Sequence, residues 1–75
     1  TIPGRFTYSG HARWRMERRQ VTEAEVEYVV DHWVTHWADR DGNPVYGADV
    51  NGRRVRVVQL LGSEPPHIIT VYVVG

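Results

Sequence analysis

The dipeptide Asn51-Gly52 restricts this chain more than any other feature. It separates two strand-like runs, residues 45–50 and 53–61. A two-residue Asn-Gly link strongly favours the tight turn of a β-hairpin, and such a turn fixes the pairing register. Val50 then faces Arg53, Asp49 faces Arg54, Ala48 faces Val55, Gly47 faces Arg56 and Tyr46 faces Val57. Alternate side chains leave opposite faces of a strand. Tyr46, Ala48, Val55, Val57 and Leu61 therefore share the expected core face, and Asp49, Arg54 and Arg56 share the other.

The flanking segments complete the fold. Residues 34–38 read as a first strand, followed by the dense turn signal Arg-Asp-Gly-Asn-Pro at 40–44. Residues 67–74 read as a last strand rich in β-branched residues. In it Ile69, Val71 and Val73 match the core face, with Ile68, Thr70 and Tyr72 opposite, beside Arg54 and Arg56. Ahead of these strands, residues 5–8 are a short extended segment and Ser9 is positioned to cap a helix ending near Gln20. Ala12 and Met16 define that helix's buried side, from which Trp14 points away. A second helix starts at a capping box, Thr22 with Glu25, reinforced by a Val21–Val26 staple. Val26, Val29, Val30 and Trp33 form its core-facing stripe. Two N-terminal helices packed on a four-stranded antiparallel meander make an α+β fold, expected to span residues 1–75 as a single domain.

Size and charge narrow the function classes. A chain of 75 residues buries only roughly 60% of its unfolded surface, so its stability is modest. It has no cysteine for a disulfide or a thiolate metal site, which fits a reducing cytoplasm. No apolar run approaches the ~20 residues of a membrane span, and no signal-peptide pattern is present. Starting at Thr1 rather than Met, the chain reads as a trimmed sequence or a domain cut from a longer protein. The net charge is zero but unevenly distributed. Residues 5–19 hold five Arg against Glu17 alone, 22–31 hold four acids and no base, and Arg53, Arg54 and Arg56 form a second basic cluster. A basic side facing an anion is the natural reading. Every basic residue is Arg, which suits planar phosphate recognition and equally suits a codon bias against Lys.

His11, Arg15 and Arg19 recur every four residues, and on a helix such residues stack along one face. An imidazole that titrates near neutral pH beside two guanidiniums suits a phosphate group. His32 and His36 are also four apart, but a metal site needs a third ligand and a supporting shell, so no metal and no cofactor is expected.

Several motifs in order carry a resemblance. They are His11-Ala12-x-x-Arg15-Met16-x-x-Arg19, Val21-Thr22-x-x-x-Val26, Asp41-Gly42-x-Pro44-Val45-Tyr46, Arg53-Arg54-Val55-Arg56-Val57-Val58 and Ile69-Thr70-Val71-Tyr72. Together they resemble the bacterial domain-of-unknown-function family forty-two fifty-eight over essentially the whole chain. That family is similar in architecture to RelE-like toxins, within the barnase–EndoU–colicin–RelE group of metal-independent ribonucleases. The resemblance implies a RelE-like fold and matches the family's helix His to His11, its helix arginines to Arg15 and Arg19, and its final-strand Thr and Tyr to Thr70 and Tyr72. The absence of Lys departs from the strongly basic RelE-like toxins.

Two functional readings follow. In the first, the chain is a toxin-type RNA endonuclease that needs a base for the 2′-hydroxyl, an acid for the leaving oxygen and cations around the phosphorane-like transition state. His11 is then the base, Tyr72 the acid or hydrogen-bond donor, Thr70 a positioning group, and Arg15, Arg19, Arg54 and Arg56 hold the phosphate. RNA, together with a cognate antitoxin or immunity protein, would be its partners. In the second reading the same basic face belongs to a non-catalytic module that docks RNA or a protein. The plain alternative is that His11 supports the helix start and the arginines solvate a surface. An exposed edge strand in so small a sheet also invites an oligomeric partner.

Overall fold

A computed structural model describes residues 6–74. The element order is β1 (Thr7–Tyr8), α1 (Gly10–Arg19), α2 (Glu23–Asp31), β2 (Thr35–Ala38), β3 (Pro44–Val50), β4 (Arg53–Gln59) and β5 (His67–Val74). The five strands form one sheet in the order β1-β5-β4-β3-β2. Both helices lie on one face of it, around a core of Ala12, Met16, Val26, Val29, Ala48, Val55, Val57, Ile68 and Val71.

The central hairpin follows from its turn. Asn51 (φ 52°) and Gly52 (φ 80°) both adopt the positive φ of a type I′ turn. The pairing runs from Val50–Arg53 to Tyr46–Val57 in the expected register. Helix α1 is capped by Ser9, whose Oγ accepts from Ala12 N at 3.0 Å, and ends at Gln20 in the left-handed conformation. Helix α2 begins at the reciprocal Thr22–Glu25 capping box, with N···O distances of 2.9 and 3.1 Å.

Four expectations need correction. The sheet is mixed and five-stranded rather than a four-stranded antiparallel meander, because β1 adds to β5 in parallel through Thr7–His67 and Tyr8–Ile68. Two residues are too few for alternation to reveal a strand; Arg5, the start of the expected extended segment, lies outside the described residues. A β-bulge places Gln59 opposite Ile68 while Val58 faces Thr70. The extra residue, Ile69, reverses the alternation, so Ile68 enters the core and Ile69 is half-buried. Strand β4 stops at Gln59, leaving Leu61 65% exposed with its N–H donated to Asn43 Oδ1 rather than on the core face. Helix α2 stops at Asp31, so Trp33 leaves its stripe and is exposed.

One carboxylate ties these parts together. Glu25 caps α2, accepts from Asn51 Nδ2 at 2.8 Å and pairs with Arg53 at 3.5 Å. Arg53 also donates to the carbonyls of Arg19 and Gln20 at the end of α1. The Thr22 backbone N–H first, then Asn51 and the Arg53 charge, hold the Glu25 carboxyl below its usual range against an opposing cost of burial. A lowered carboxylate contributes stability above its unfolded value, about 4.3, and loses it as pH falls through the folded value. Glu25→Gln should therefore unfold at a lower temperature than the native chain at pH 7. The gap should close as the pH falls below the carboxylate range, as followed by circular dichroism. A gap unchanged by pH would show that the charge on Glu25 contributes nothing.

Candidate nucleic-acid interface

Ser9 sets where α1 begins relative to the sheet. Its N–H donates to Ile68 O at 2.9 Å and its Oγ to Ile69 O at 2.7 Å. The bulge that diverts Ile69 thus lies beside the helix start. Ala12 and Met16, buried against β5, set the rotation of α1 about its axis. The residues left facing solvent at i, i+3, i+4 and i+7 are His11, Trp14, Arg15 and Arg18.

These four form a contiguous patch around Trp14, which is 53% exposed. The Arg18 guanidinium lies 5.0 Å and that of Arg15 6.0 Å from the Trp14 ring. The His11 ring stacks on the other side, with centroids 6.0 Å apart. Both Arg distances are within cation–π range. Neither Arg15 nor Arg18 is paired with a carboxylate among the described residues. Arg15 Nε is buried without a hydrogen-bond partner among the described residues. Arg13 is diverted instead to Glu23 at 3.2 Å and lies over the Tyr8 ring at 5.0 Å. Arg19, the exposed last residue of α1, closes the helix, and its backbone carbonyl receives Arg53.

The remaining candidates lie elsewhere. Thr70 and Tyr72 alternate with the core residues Val71 and Val73, so they project from the helix-free face of the sheet. Arg56 pairs directly with Tyr72, and Arg54, on the same face, bonds Asp49 at 3.2 Å in the expected cross-strand pair. The sheet therefore separates His11 and Arg15 from Thr70, Tyr72, Arg54 and Arg56, and the constellation that sequence reading assembled divides into two surfaces.

That second surface has its own aromatic–Arg pair. Arg56 crosses β3 and rests 4.9 Å above the Trp37 ring, its Nε buried without a hydrogen-bond partner. Gly47 lies opposite Arg56 and Thr35: a Cβ there would meet Arg56 Cγ at an ordinary contact distance, 3.5 Å, but would lie only 2.6 Å from Thr35 Oγ1. Val45 and Val58 are buried beside it on the same face. His67 also faces this way, bonded through Nδ1 to Thr7 Oγ1 at 2.8 Å. His32 and His36 go to separate aromatic partners, Tyr28 at 4.8 Å and Tyr46 at 4.7 Å. His36 Nδ1 also donates to Val45 O at 3.0 Å. Among the described residues no three His, Asp or Glu side chains converge as a metal site requires.

Sequence reading missed the two Trp–Arg pairs. Trp14 and Arg18 were visible as an i, i+4 pair, and a glycine opposite an arginine in the hairpin register marks a side chain lying flat across a strand. Trp37 was not locatable, because the turn at 40–44 does not fix the β2 register as Asn51-Gly52 fixes that of β3 and β4. Gly47→Ala should cost about 1–3 kcal/mol through overpacking and shift the Thr35 resonances as its hydroxyl is displaced. Gly10→Ala, with no atom within 4 Å of the added Cβ, should leave thermal stability unchanged or slightly raised. Equal effects at both glycines would contradict the close approach of Thr35 to Gly47.

Comparison with known families gives one match: the family model described as Domain of unknown function (DUF4258) matches residues 8–73. No curated protein and no solved structure matches the chain.

Proposed function

The chain belongs to this family of unknown function, DUF4258, and we propose from the geometry of α1 that it binds single-stranded RNA through His11, Trp14, Arg15 and Arg18. The observation that carries the reading is the half-exposed Trp14 indole flanked by two guanidiniums without carboxylate partners. An exposed ring offers a stacking surface for an unpaired base, and the arginines beside it suit the adjoining phosphates. A duplex keeps its bases stacked on one another, so a single strand is the better ligand. The zero net charge limits long-range attraction, which makes local stacking the larger contribution to affinity. Trp14→Ala should weaken binding of a short single-stranded RNA by roughly 5- to 150-fold, as expected for the ~1–3 kcal/mol of one stacked base. Arg18→Ala should weaken it less and reduce its salt dependence. Fluorescence anisotropy titrations at two salt concentrations measure both, and undiminished binding by Trp14→Ala removes the reading.

A second reading is supported by the pairing of Arg56 with Tyr72 on the helix-free face. If the RelE-like likeness of the family extends to activity, this face is where a metal-independent endonuclease would act. Arg56 and Arg54 would hold the phosphate, water would take the 2′-hydroxyl proton as that oxygen attacks phosphorus, Tyr72 would give its proton to the departing 5′-oxygen and regain one from solvent, and Thr70 would position the strand. His11 has no part in it, because it lies in the helix layer. Cleavage of RNA in the presence of a chelator, lost in Tyr72→Phe and kept in His11→Ala, is the expected result. Growth arrest on expression, relieved by Tyr72→Phe, would agree with it. Intact RNA after incubation with the native protein would leave binding as the sole function.

A further inference from the structure

One edge of the sheet lacks the usual protection. Strand β2 is exposed at all four residues, Thr35, His36, Trp37 and Ala38, and none of them is charged or proline. Natural edge strands are normally shielded by Lys, Pro, a bulge or extreme shortness. Strand β1, at the other edge, is two residues long and leads directly into the Ser9 cap. Among the described residues no strand pairs with the outer side of β2. Asp39 N donates inward to Asn43 O at 2.9 Å, and antiparallel hydrogen bonding alternates along a strand. Thr35 and Trp37 thus share Asp39's inward sense, while the backbone N–H and C=O groups of His36 and Ala38 point outward, as a partner strand would need.

The chemistry around this edge favours one occupant. Trp33 and Val34, which lead into it, are exposed, Val34 at 73%. Nothing charged lies between His32 and Ala38, so a charged peptide finds no complement there. A second copy of the same segment, paired antiparallel about a two-fold axis, brings no charged side chain of β2 itself to the seam and buries the apolar flanks of both copies; the nearest cation, Arg56, lies over the Trp37 ring on the helix-free face. The zero net charge of the chain removes the general repulsion that keeps many small domains apart. We propose that β2 pairs antiparallel with β2 of a second copy, joining the two five-stranded sheets into one through the outward groups of His36 and Ala38. This assembly is independent of the RNA reading, and it presents two α1 patches at once.

The test is the mass of the protein in solution by sedimentation equilibrium. The native chain should show twice its 8.7 kDa at high micromolar concentration and dissociate on dilution. Two substitutions should return it to a single mass. Ala38→Pro removes an outward N–H that no described intrachain bond uses, and Val34→Lys places a charge at the interface. Circular dichroism keeps the result interpretable by showing that both variants retain the native spectrum. Hydrogen exchange adds a direct readout: the His36 and Ala38 amides should be protected in the native protein at high concentration and exchange freely on dilution. A native chain that stays monomeric overturns the proposal. So does a dimer that survives both substitutions with these two amides unprotected.

Discussion

The Glu25 carboxylate is the point on which the arrangement depends. It closes the first turn of α2 and receives Asn51 from the hairpin turn and Arg53 from the start of β4. Arg53 in turn binds the carbonyls that end α1. Two chain reversals, the α1–α2 turn and the β3–β4 turn, are thereby tied to one side chain that is 11% exposed. A small domain buries too little apolar surface to hold its elements by packing alone, so such a polar hub matters more here than it would in a larger core. Hydrogen bonds to a charged group contribute roughly 1.5–3 kcal/mol each, a large share of a modest total stability.

The hub also explains how nine arginines divide their work. Arg53 is structural, Arg13 and Arg54 pair with exposed acids, and Arg56 is laid flat on Trp37. Arg15 and Arg18 are gathered at Trp14 with His11 on the helix surface, Arg19 and Arg40 are exposed, and Arg5 lies outside the described residues. Exposed ion pairs such as Arg13–Glu23 contribute little. A cation held against an indole without a carboxylate partner keeps its charge available for a ligand. This is the physical basis for proposing α1, rather than basic residues in general, as the contact for RNA.

Much of the fold was legible in the sequence because local chemistry dictated it. Asn51-Gly52 fixed the β3–β4 register, Thr22 with Glu25 fixed the start of α2, and Ser9 fixed that of α1. What escaped was non-local. The parallel pairing of β1 with β5 joins residues sixty positions apart, and the Ile69 bulge is a register adjustment that no alternation pattern announces. The candidate site was half legible for the same reason. Helical spacing is local, so it places His11, Arg15 and Arg18 on one face, whereas the gathering of both guanidiniums at the Trp14 ring depends on side-chain positions. Thr70 and Tyr72 were assigned to the correct sheet face but joined to a helix that lies on the other.

On the proposed reading the α1 patch, and not the sheet, is the primary contact for RNA. Backbone and indole chemical shifts, recorded while a short single-stranded RNA is titrated into the labelled protein, test this. The largest changes should fall on His11, Trp14, Arg15 and Arg18 and include the Trp14 indole, with Arg56 and Tyr72 moving less. Changes centred on Trp37, Arg56 and Tyr72 with α1 silent, or no changes at saturating RNA, would contradict it.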